Sequence, residues 1–243
     1  MRLHLILVVL LFSLTELIYS QGLTDCKSCD TYLIEKQDID TLSIDELQLL
    51  VNEIYARNGY VFSTDKYNYY FRDRSWYSPK SSNSLVKLNS IEVKNVDLMK
   101  KRIDYLRKQR SVVLDYVQNM QQYARGNNDA ALQRIFDGTD YYRESSISDL
   151  KEVLLRLDPE DINWYKNYGL YKIERDNGFV IEVYELRIER DAFYLMKNYM
   201  AHSEIIAEFD IFSDYDSISE YCVKWCFRVK DLKVVFDRIW IAG

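Results

Sequence analysis

The spacing of apolar residues changes once along this chain, and this change limits the folds that it can adopt. Up to Leu157, apolar side chains recur every three or four residues, which predicts amphipathic helices. From Tyr168 onward they alternate with polar side chains, which predicts strands with one buried face. The tripeptide Asp176-Asn177-Gly178 adds a strong hairpin-turn signal. Helices followed by an antiparallel meander predict an α+β fold.

Local signals place the individual elements. Ser43 and Glu46 form a capping-box pattern that starts a helix, and Asn58-Gly59 supplies its stop. Further helices are expected at residues 64–71, 90–107, 112–125, 128 or 129 to 136, and 147–157. Strands are expected at residues 170–175, 179–189, 193–199, 204–212, 221–229 and 233–241. The sequence therefore predicts a small helical unit followed by helices packed on a curved antiparallel sheet.

The first twenty residues resemble a secretory signal peptide. Arg2 precedes an apolar run at residues 5–12, and Ser20 supplies a small residue before the expected cleavage site at Gln21. The run is too short to cross a bilayer, which needs about 20 apolar residues. A buried N-terminal helix is the alternative. No later apolar run is long enough to span a membrane, so we expect an extracytoplasmic protein, periplasmic or secreted, without a transmembrane segment after cleavage.

Composition excludes several classes of protein. A chain that is 48% hydrophobic and 14% aromatic can bury a core and is not intrinsically disordered. Cleavage would leave His202 as its one histidine, which removes support for a zinc site with two His ligands and for a Ser–His–Asp triad with a second histidine to spare. We expect no metal and no cofactor. Nucleic acid is not an expected partner, because the protein leaves the cytoplasm.

Four cysteines, Cys26, Cys29, Cys222 and Cys226, favour structural disulfides in an exported protein. A four-thiolate zinc site and free or redox-active thiols are the alternatives. On a strand, Cys222 and Cys226 are about 13 Å apart, whereas a disulfide needs Cα atoms within about 7 Å. They should bridge each other only if this stretch is helical. On a strand, each can instead receive one of Cys26 and Cys29, which would clasp the N-terminal segment across the sheet.

Charge also divides the chain. Residues 51–110 hold 13 basic and 6 acidic side chains, net +7, and residues 111–243 hold 16 and 24, net −8. The basic side chains concentrate at the end of the first of these segments, at Lys100, Lys101, Arg102, Arg107, Lys108 and Arg110. This face is either a solvated helix surface or an anion-attracting one. The second interpretation predicts an anionic envelope polymer as partner, or docking of this face on the acidic second unit.

One stretch reads Asn52-Glu53-Ile54-Tyr55-Ala56-Arg57-Asn58-Gly59-Tyr60-Val61-Phe62. It resembles the signature of the YARHG domain, a presumed extracellular bacterial module. Supporting marks follow in order: Tyr70-Phe71, Trp76-Tyr77, and Glu92 with Asn95 as Glu-x-x-Asn. The resemblance covers about residues 36–108. Val51 stands where the family usually has Arg, and Asn58 stands where it has His. The resemblance implies no established activity.

This motif has a structural and a ligand-binding interpretation. In the structural one, Asn58 and Gly59 tolerate a positive φ and end a helix, and Glu53 pairs with Arg57 at i, i+4 spacing. The aromatic residues then form a compact core: Tyr55, Tyr60, Phe62, Phe71 and Trp76. In the alternative, a ligand groove is bordered by Arg57, Arg72, Arg74 and Tyr77.

These observations divide the chain into a signal peptide (1–20), a Cys-containing segment (21–35), a YARHG-like helical domain (36–109) and an α+β domain (110–243). In topology alone, the last resembles the cone-shaped fold of the nuclear transport factor 2 superfamily. The leading hypothesis is an exported bacterial protein without catalysis, serving binding or envelope structure. The alternatives are a hydrolase or isomerase with a conical pocket, and an envelope protein that binds a toxin or inhibitor. An enclosed pocket with a desolvated carboxylate facing Tyr or Arg would favour the enzyme.

Overall fold

The computed structural model describes residues 23–136, 144–178, 180–201, 203 and 220–243. The predicted signal peptide, the predicted strand at 204–212 and His202 lie outside the described residues. Helices precede a sheet in the part that is described, so the predicted α+β class is confirmed.

The helices begin where the sequence places capping residues. Ser43 Oγ accepts a hydrogen bond from Glu46 N, and the Glu46 carboxylate accepts one from Ser43 N, which completes the predicted capping box. Asn128 Oδ1 accepts from Ala131 N and caps another helix. The helices are α1 (Lys36–Ile39), α2 (Ile44–Arg57), α3 (Asp65–Arg72), α4 (Ser90–Arg125), α5 (Asp129–Gln133) and α6 (Glu144–Arg156), with 3₁₀ turns at Asn83–Leu85 and Arg134–Phe136.

Within the described residues one antiparallel sheet follows, and each of its six strands pairs with the next. Its strands are β1 (Asn163–Tyr165), β2 (Tyr168–Asp176), β3 (Val180–Glu189), β4 (Ala192–Ala201), β5 (Tyr221–Lys230) and β6 (Lys233–Ala242). The predicted hairpin is present between β2 and β3, with Gly178 at φ +87°. The sequence does not predict β1, because three residues are too few to show an alternation.

A single helix, α4, replaces the two helices expected at 90–107 and 112–125. The prediction of a break was wrong because residues 108–111 contain neither Gly nor Pro. The buried apolar positions also keep their helical spacing through this stretch, from Leu106 to Val113 and Val117. The proposed domain boundary at 109/110 therefore falls inside α4.

Helix α4 contributes to two separate hydrophobic cores. Its first half sends Met99 and Ile103 into a core formed with α1, α2 and the N-terminal segment. Its second half sends Val117 and Met120 into a core formed with α6 and one face of the sheet. That face supplies the largest buried side chains of the second core: Tyr184, Phe193, Trp225 and Phe227.

The disulfide pairing differs from the predicted clasp. Cys26 and Cys29 are bonded to each other, whereas Cys222 and Cys226 are free thiols on β5. The clasp was wrong because a C-x-x-C pair closes a far smaller loop, at lower entropic cost, than a link across the chain. The four-thiolate zinc site is excluded too, since two of its ligands are bonded. The alternation along β5 is confirmed: Trp225 is buried in the core, and the unbridged cysteines lie on the opposite face.

The end of α6 depends on one buried amide of α4. Gln121 is 2% exposed, and its Nε2 donates to the carbonyl oxygens of Leu154 and Leu157 at 2.7 Å each. We predict that Gln121→Leu lowers the free energy of unfolding by about 2 kcal/mol or more, because two buried acceptors lose their donor. Chemical denaturation measures this. The control is Gln122→Leu at the exposed neighbour, which should change little, and equal effects of the two substitutions would contradict the assignment.

Candidate functional site

Gly59 ends α2 because no other residue fits there. Its φ is +82°, and a Cβ would lie 2.9 Å from Ser78 O and 2.8 Å from Lys80 Cγ. Asn58 before it keeps a negative φ of −88° and uses its side chain instead, donating from Nδ2 to Ile54 O. The stop signal predicted from Asn58-Gly59 therefore acts through the glycine backbone and the asparagine amide.

Glu92 joins the start of α4 to the end of α2. Its Oε1 accepts from Asn58 Nδ2 at 2.6 Å, and its Oε2 accepts from Asn89 N at 2.7 Å. The side chain is nearly buried, so both bonds are made away from bulk water. Asn58, which stands where the family usually has His, thus provides an N–H donor to this carboxylate.

Asn95 holds the disulfide loop against α4. It is fully buried; its Nδ2 donates to Cys29 O and Tyr32 O, and its Oδ1 accepts from Ile34 N. These bonds satisfy backbone groups of a segment that has little regular structure. The Glu-x-x-Asn pattern thus fastens two neighbouring parts of the chain to one helix.

The aromatic motif residues form the predicted core, and Asn52, Tyr55, Tyr60 and Phe62 also line a surface cavity of about 450 Å³. Arg57 Nη2 lies 2.6 Å from Glu53 Oε1, as the i, i+4 spacing predicts, and its guanidinium stacks 4.2 Å from the Trp76 ring. Tyr77 Oη donates to Tyr60 O. Rings of the cluster meet at centroid distances of 5.0 to 6.3 Å, and Ala56 packs among them; its other members include Tyr55, Phe62 and Phe71.

Two arginines of the predicted groove lie apart from this core. Arg72 stacks over the exposed ring of Tyr69 at 4.4 Å, and Arg74 stacks over Tyr70 at 4.7 Å. Asn52, at the start of the motif, accepts a hydrogen bond from Gln48. Arg72 and Arg74 thus stack on exposed tyrosine rings, whereas Arg57 stacks on Trp76 within the cluster.

The basic residues of α4 separate into two sets. Arg102 and Arg110 are partly buried and turn toward the sheet unit. The others are exposed to solvent: Lys100, Lys101, Arg107 and Lys108. Asp97 and Asp104 lie on the same solvated face, and Arg107 approaches Asp104 to 3.6 Å. The predicted basic face is thus divided between solvent and the junction of the two units.

Contacts at this junction come from the β1–β2 turn. Lys166 Nζ lies 2.9 Å from Glu46 Oε1 on α2, and Lys166 O accepts from Arg110 Nη2 at 2.6 Å. The Arg110 guanidinium also stacks 3.9 Å from the Trp164 ring. Burial raises the pKa of Glu46, but hydrogen bonds from Lys166 and Ser43 outweigh this and lower it. Both units are therefore tied together by charge and by stacking.

A cavity of about 260 Å³ opens beside these contacts, and we call it the junction cleft. Its walls come from α4, from β1, from the end of α1 and from the β1–β2 and β3–β4 turns. Polar and aromatic lining residues include the three bases Arg102, Arg110 and Arg190, the two acids Asp40 and Asp191, and Tyr105, Trp164 and Asn167. Arg102 Nη2 donates to Asp40 O, whereas its Nε is buried and has no hydrogen-bond partner among the described residues. Burial lowers the pKa of Arg110, and the Asp45 carboxylate opposes that shift.

Sequence reasoning reached only part of this cleft. It singled out Arg102 and Arg110 because they belong to a basic run, but it missed Trp164, Asn167 and Arg190. The last two lie in two-residue hairpin turns, between Tyr165 and Tyr168 and between Glu189 and Ala192. Nothing in the sequence shows that these turns meet α4, because that depends on the packing of the sheet.

A second group of polar side chains joins α6 to the sheet, and we call it the α6 network. Lys197 Nζ lies 2.8 Å from both Asp149 Oδ1 and Glu152 Oε2, although Lys197 is only 6% exposed. Glu152 Oε1 also accepts from Tyr184 Oη at 2.6 Å and from Arg156 Nη2 at 2.8 Å. Each buried charge therefore faces a partner of opposite sign.

The α6 network keeps Glu152 and Lys197 in their charged forms and Tyr184 in its neutral form. Burial raises the pKa of Glu152, but hydrogen bonds from Lys197, Tyr184 and Arg156 outweigh it and lower the pKa from 4.5 to about 2. Burial lowers the pKa of Lys197, and hydrogen bonds to Asp149 and Glu152 outweigh this and raise it. Burial and the bond to Glu152 both raise the pKa of Tyr184.

We predict that Asn95→Ala lowers the free energy of unfolding by about 3 kcal/mol, because one N–H and two carbonyl groups of the N-terminal segment lose their partners. Thermal or chemical denaturation measures the change. Asn68→Ala, at an exposed position of α3, serves as the control. A loss at Asn95 no larger than at Asn68 would show that this amide does not hold the segment.

We also predict that stability falls in acid through Glu152. Its pKa is lower in the folded chain than in the unfolded one, so its contribution is present above about pH 4.5 and is lost as the pH falls toward 2. Glu152→Gln should lower stability at neutral pH and flatten the decline measured between pH 5 and 2. The control is Glu174→Gln, which removes an exposed pair with Lys172. An unchanged acid decline in Glu152→Gln would contradict this role.

Comparison with known proteins identifies the first unit. No helix in the described part of the chain is both long and apolar enough to cross a membrane. No curated protein and no solved structure matches the chain, and the resemblance of the second unit to the nuclear transport factor 2 superfamily gains no support. The family model of the YARHG domain matches residues 26–102, from the disulfide loop to Arg102 in α4. The chain therefore carries a YARHG domain, a module typical of extracellular proteins, at residues 26–102.

Proposed function

We propose that this chain is an exported, non-catalytic binding protein of the cell envelope that holds an anionic group in the junction cleft. The signal-peptide pattern, the extracellular type of its first domain and the Cys26–Cys29 disulfide support export. We further propose that the chain has two units, of which the first ends near residue 109 and the second begins near residue 110. The two units act together because α4 belongs to both. The excess of arginines over acids in the lining of the cleft, with Arg102, Arg110 and Arg190 against Asp40 and Asp191, is the observation that carries the proposal.

Arg102 and Arg110 supply this charge. In the described part of the chain, their hydrogen bonds go to the backbone carbonyl oxygens of Asp40 and Lys166, not to carboxylates. A carbonyl partner orients a guanidinium without cancelling its charge. Since charges act more strongly in a partly buried cleft than in bulk water, an anion there would gain more than on the open surface.

The two guanidinium groups are also held in place before any ligand arrives. Stacking on Trp164 and the bond to Lys166 O fix Arg110, so little freedom would be lost on binding. The hydrogen bond from Arg102 Nη2 to Asp40 O orients the second guanidinium in the same way. Arg190 adds a third positive charge at the rim.

The size of the cleft limits the ligand. About 260 Å³ lies just below the range of about 300–1,000 Å³ that drug-sized ligands fill. A single sugar unit carrying a phosphate or carboxylate group fits that size. An anionic envelope polymer could place one such unit in the cleft, with Trp164 and Tyr105 against its apolar parts.

The α6 network favours binding over catalysis. Its Glu152 is the carboxylate that faces Tyr and Arg, the feature expected of a pocket enzyme. A pKa of about 2 makes this group a very weak base, since it stays ionised and strongly paired. Lys197 remains protonated between two carboxylates, so it has no lone pair for nucleophilic attack. These groups support a structural role.

Binding can be tested by calorimetry with inorganic phosphate, glucose 1-phosphate and the model polyanion heparin. We expect glucose 1-phosphate to bind more tightly than phosphate, and both to bind more weakly as salt rises. The double substitution Arg102→Gln/Arg110→Gln should reduce binding at least tenfold. A thermal melt of this variant checks that the junction still folds.

The matched control is Lys101→Gln/Lys108→Gln, which removes the same charge from the same helix on its solvated face. Binding should survive in this control. If only the control loses binding, the exposed face of α4 is the site and the cleft is not. If neither phosphate compound nor heparin binds the unmodified protein, the proposal is wrong.

A further inference from the structure

In the described part of the chain, the last strand of the sheet has no partner strand along one of its edges. β6 is ten residues long and pairs with β5 on one side; in the described part of the chain no strand lies along its other side. An edge of this length presents a row of backbone N–H and C=O groups that another strand can pair with. What binds along this edge is independent of what binds in the junction cleft.

The sequence of β6 is palindromic in residue type: read in either direction, apolar residues flank a central pair of charged residues of opposite sign. Val234, Val235, Phe236 and Asp237 are followed by Arg238, Ile239, Trp240 and Ile241. Along the strand, three apolar residues and an acidic residue are thus followed by a basic residue and three apolar residues. In an antiparallel pair of identical strands centred between residues 237 and 238, acid would face base and each apolar residue would face an apolar one.

A bulge makes this register possible. Residues three apart on a regular strand lie on opposite faces, so Phe236 of one copy could not normally lie opposite Ile239 of another. In β6 an irregularity next to residue 237 brings Phe236 opposite Phe227 and Ile239 opposite Trp225. Phe227 and Trp225 are both on the core face, so Phe236 and Ile239 share that face too.

The same bulge matches the faces of the other pairs. Val235 and Trp240 lie on the face opposite the core, across from Arg228 and Lys224. Val234 joins Phe236 on the core face, and alternation from Ile239 places Ile241 there as well. With the centre between residues 237 and 238, every flanking residue therefore meets a residue of its own face. Shifting the pairing by one residue destroys this match.

Several of the apolar residues that this register pairs are exposed to solvent. Val235, Trp240 and Ile241 are 49%, 51% and 50% exposed, although they are apolar and lie on one strand. In the symmetric register Val235 would cover Trp240 of a second copy, and Ile241 would cover Val234. Pairing would thus remove from water the apolar surface that β6 leaves open.

We infer that a second copy of this chain occupies the edge, and that two β6 strands pair about a two-fold axis and join the two sheets into one. Charges and bulges at an edge usually prevent such pairing. Here the charges have opposite signs, and each Asp237 meets an Arg238 of the second copy. The present contacts of Asp237, 3.5 Å to Arg228 and 3.7 Å to Arg238, are long and solvent-exposed, so exchanging them costs little.

Light scattering after gel filtration tests this with the purified full chain. We expect a dimer for the unmodified protein. Arg238→Asp would place two acids opposite each other, and Asp237→Arg would place two bases opposite each other, so each variant alone should be monomeric. Far-UV circular dichroism and thermal melting confirm that both variants fold.

Mixing the two variants gives the decisive measurement. The acidic strand of one and the basic strand of the other are complementary in this register, so the mixture should form a heterodimer. The double variant Asp237→Arg/Arg238→Asp should also regain a homodimer. A monomeric unmodified protein overturns the proposal. Variants that remain dimers, or a mixture that remains monomeric, overturn the proposed interface.

Discussion

Helix α4 is the element on which both units of this protein depend. It has 36 residues and is about 54 Å long, and each half is buried in a different hydrophobic core. The first half holds α2 and the disulfide loop, the second half α6 and the sheet. Because the helix is continuous, the position of one core limits the position of the other. The junction cleft exists because this helix passes from the first core to the second beside the hairpin turns.

Those turns show how the sheet serves the junction. Lys166 and Arg190 adopt positive φ values of +53° and +48°, a conformation that side chains other than Gly, Asn and Asp seldom take. Two-residue hairpins require it. Glycine would relieve the strain but would remove the ammonium that pairs with Glu46 and the guanidinium at the rim of the cleft. The sequence therefore keeps functional groups at positions where the backbone favours glycine.

Local features of this fold could be predicted from the sequence, and long-range ones could not. The Ser43–Glu46 capping box, the stop at Gly59, the Asp176–Gly178 hairpin and the two faces of β5 depend on neighbouring residues, and each is present. The pairing of Cys26 with Cys29 was missed because strand geometry excludes one bridge without choosing among the others. The continuity of α4 was missed because a change in charge pattern does not break a helix.

In the candidate site, too, the features that depend on neighbouring residues could be predicted and those that depend on long-range packing could not. Arg102 and Arg110 belong to a visible basic run, but Trp164 and Arg190 reach the cleft only through the packing of the sheet against α4. The YARHG motif gave the clearest sequence signal. Its polar residues Glu53, Asn58, Glu92 and Asn95 are nevertheless used to hold backbone and side chains together. These polar side chains therefore stabilise the fold of the motif.

Hydrogen exchange along α4 tests most directly whether this helix joins the two units into one body. A continuous helix packed on both sides predicts protected amides from Ile103 through Val117, with no gap at residues 109 and 110. Exchange in this middle stretch should be as slow as in the two cores. Fast exchange confined to residues 107–111, between two protected halves, would show a hinge and contradict the account.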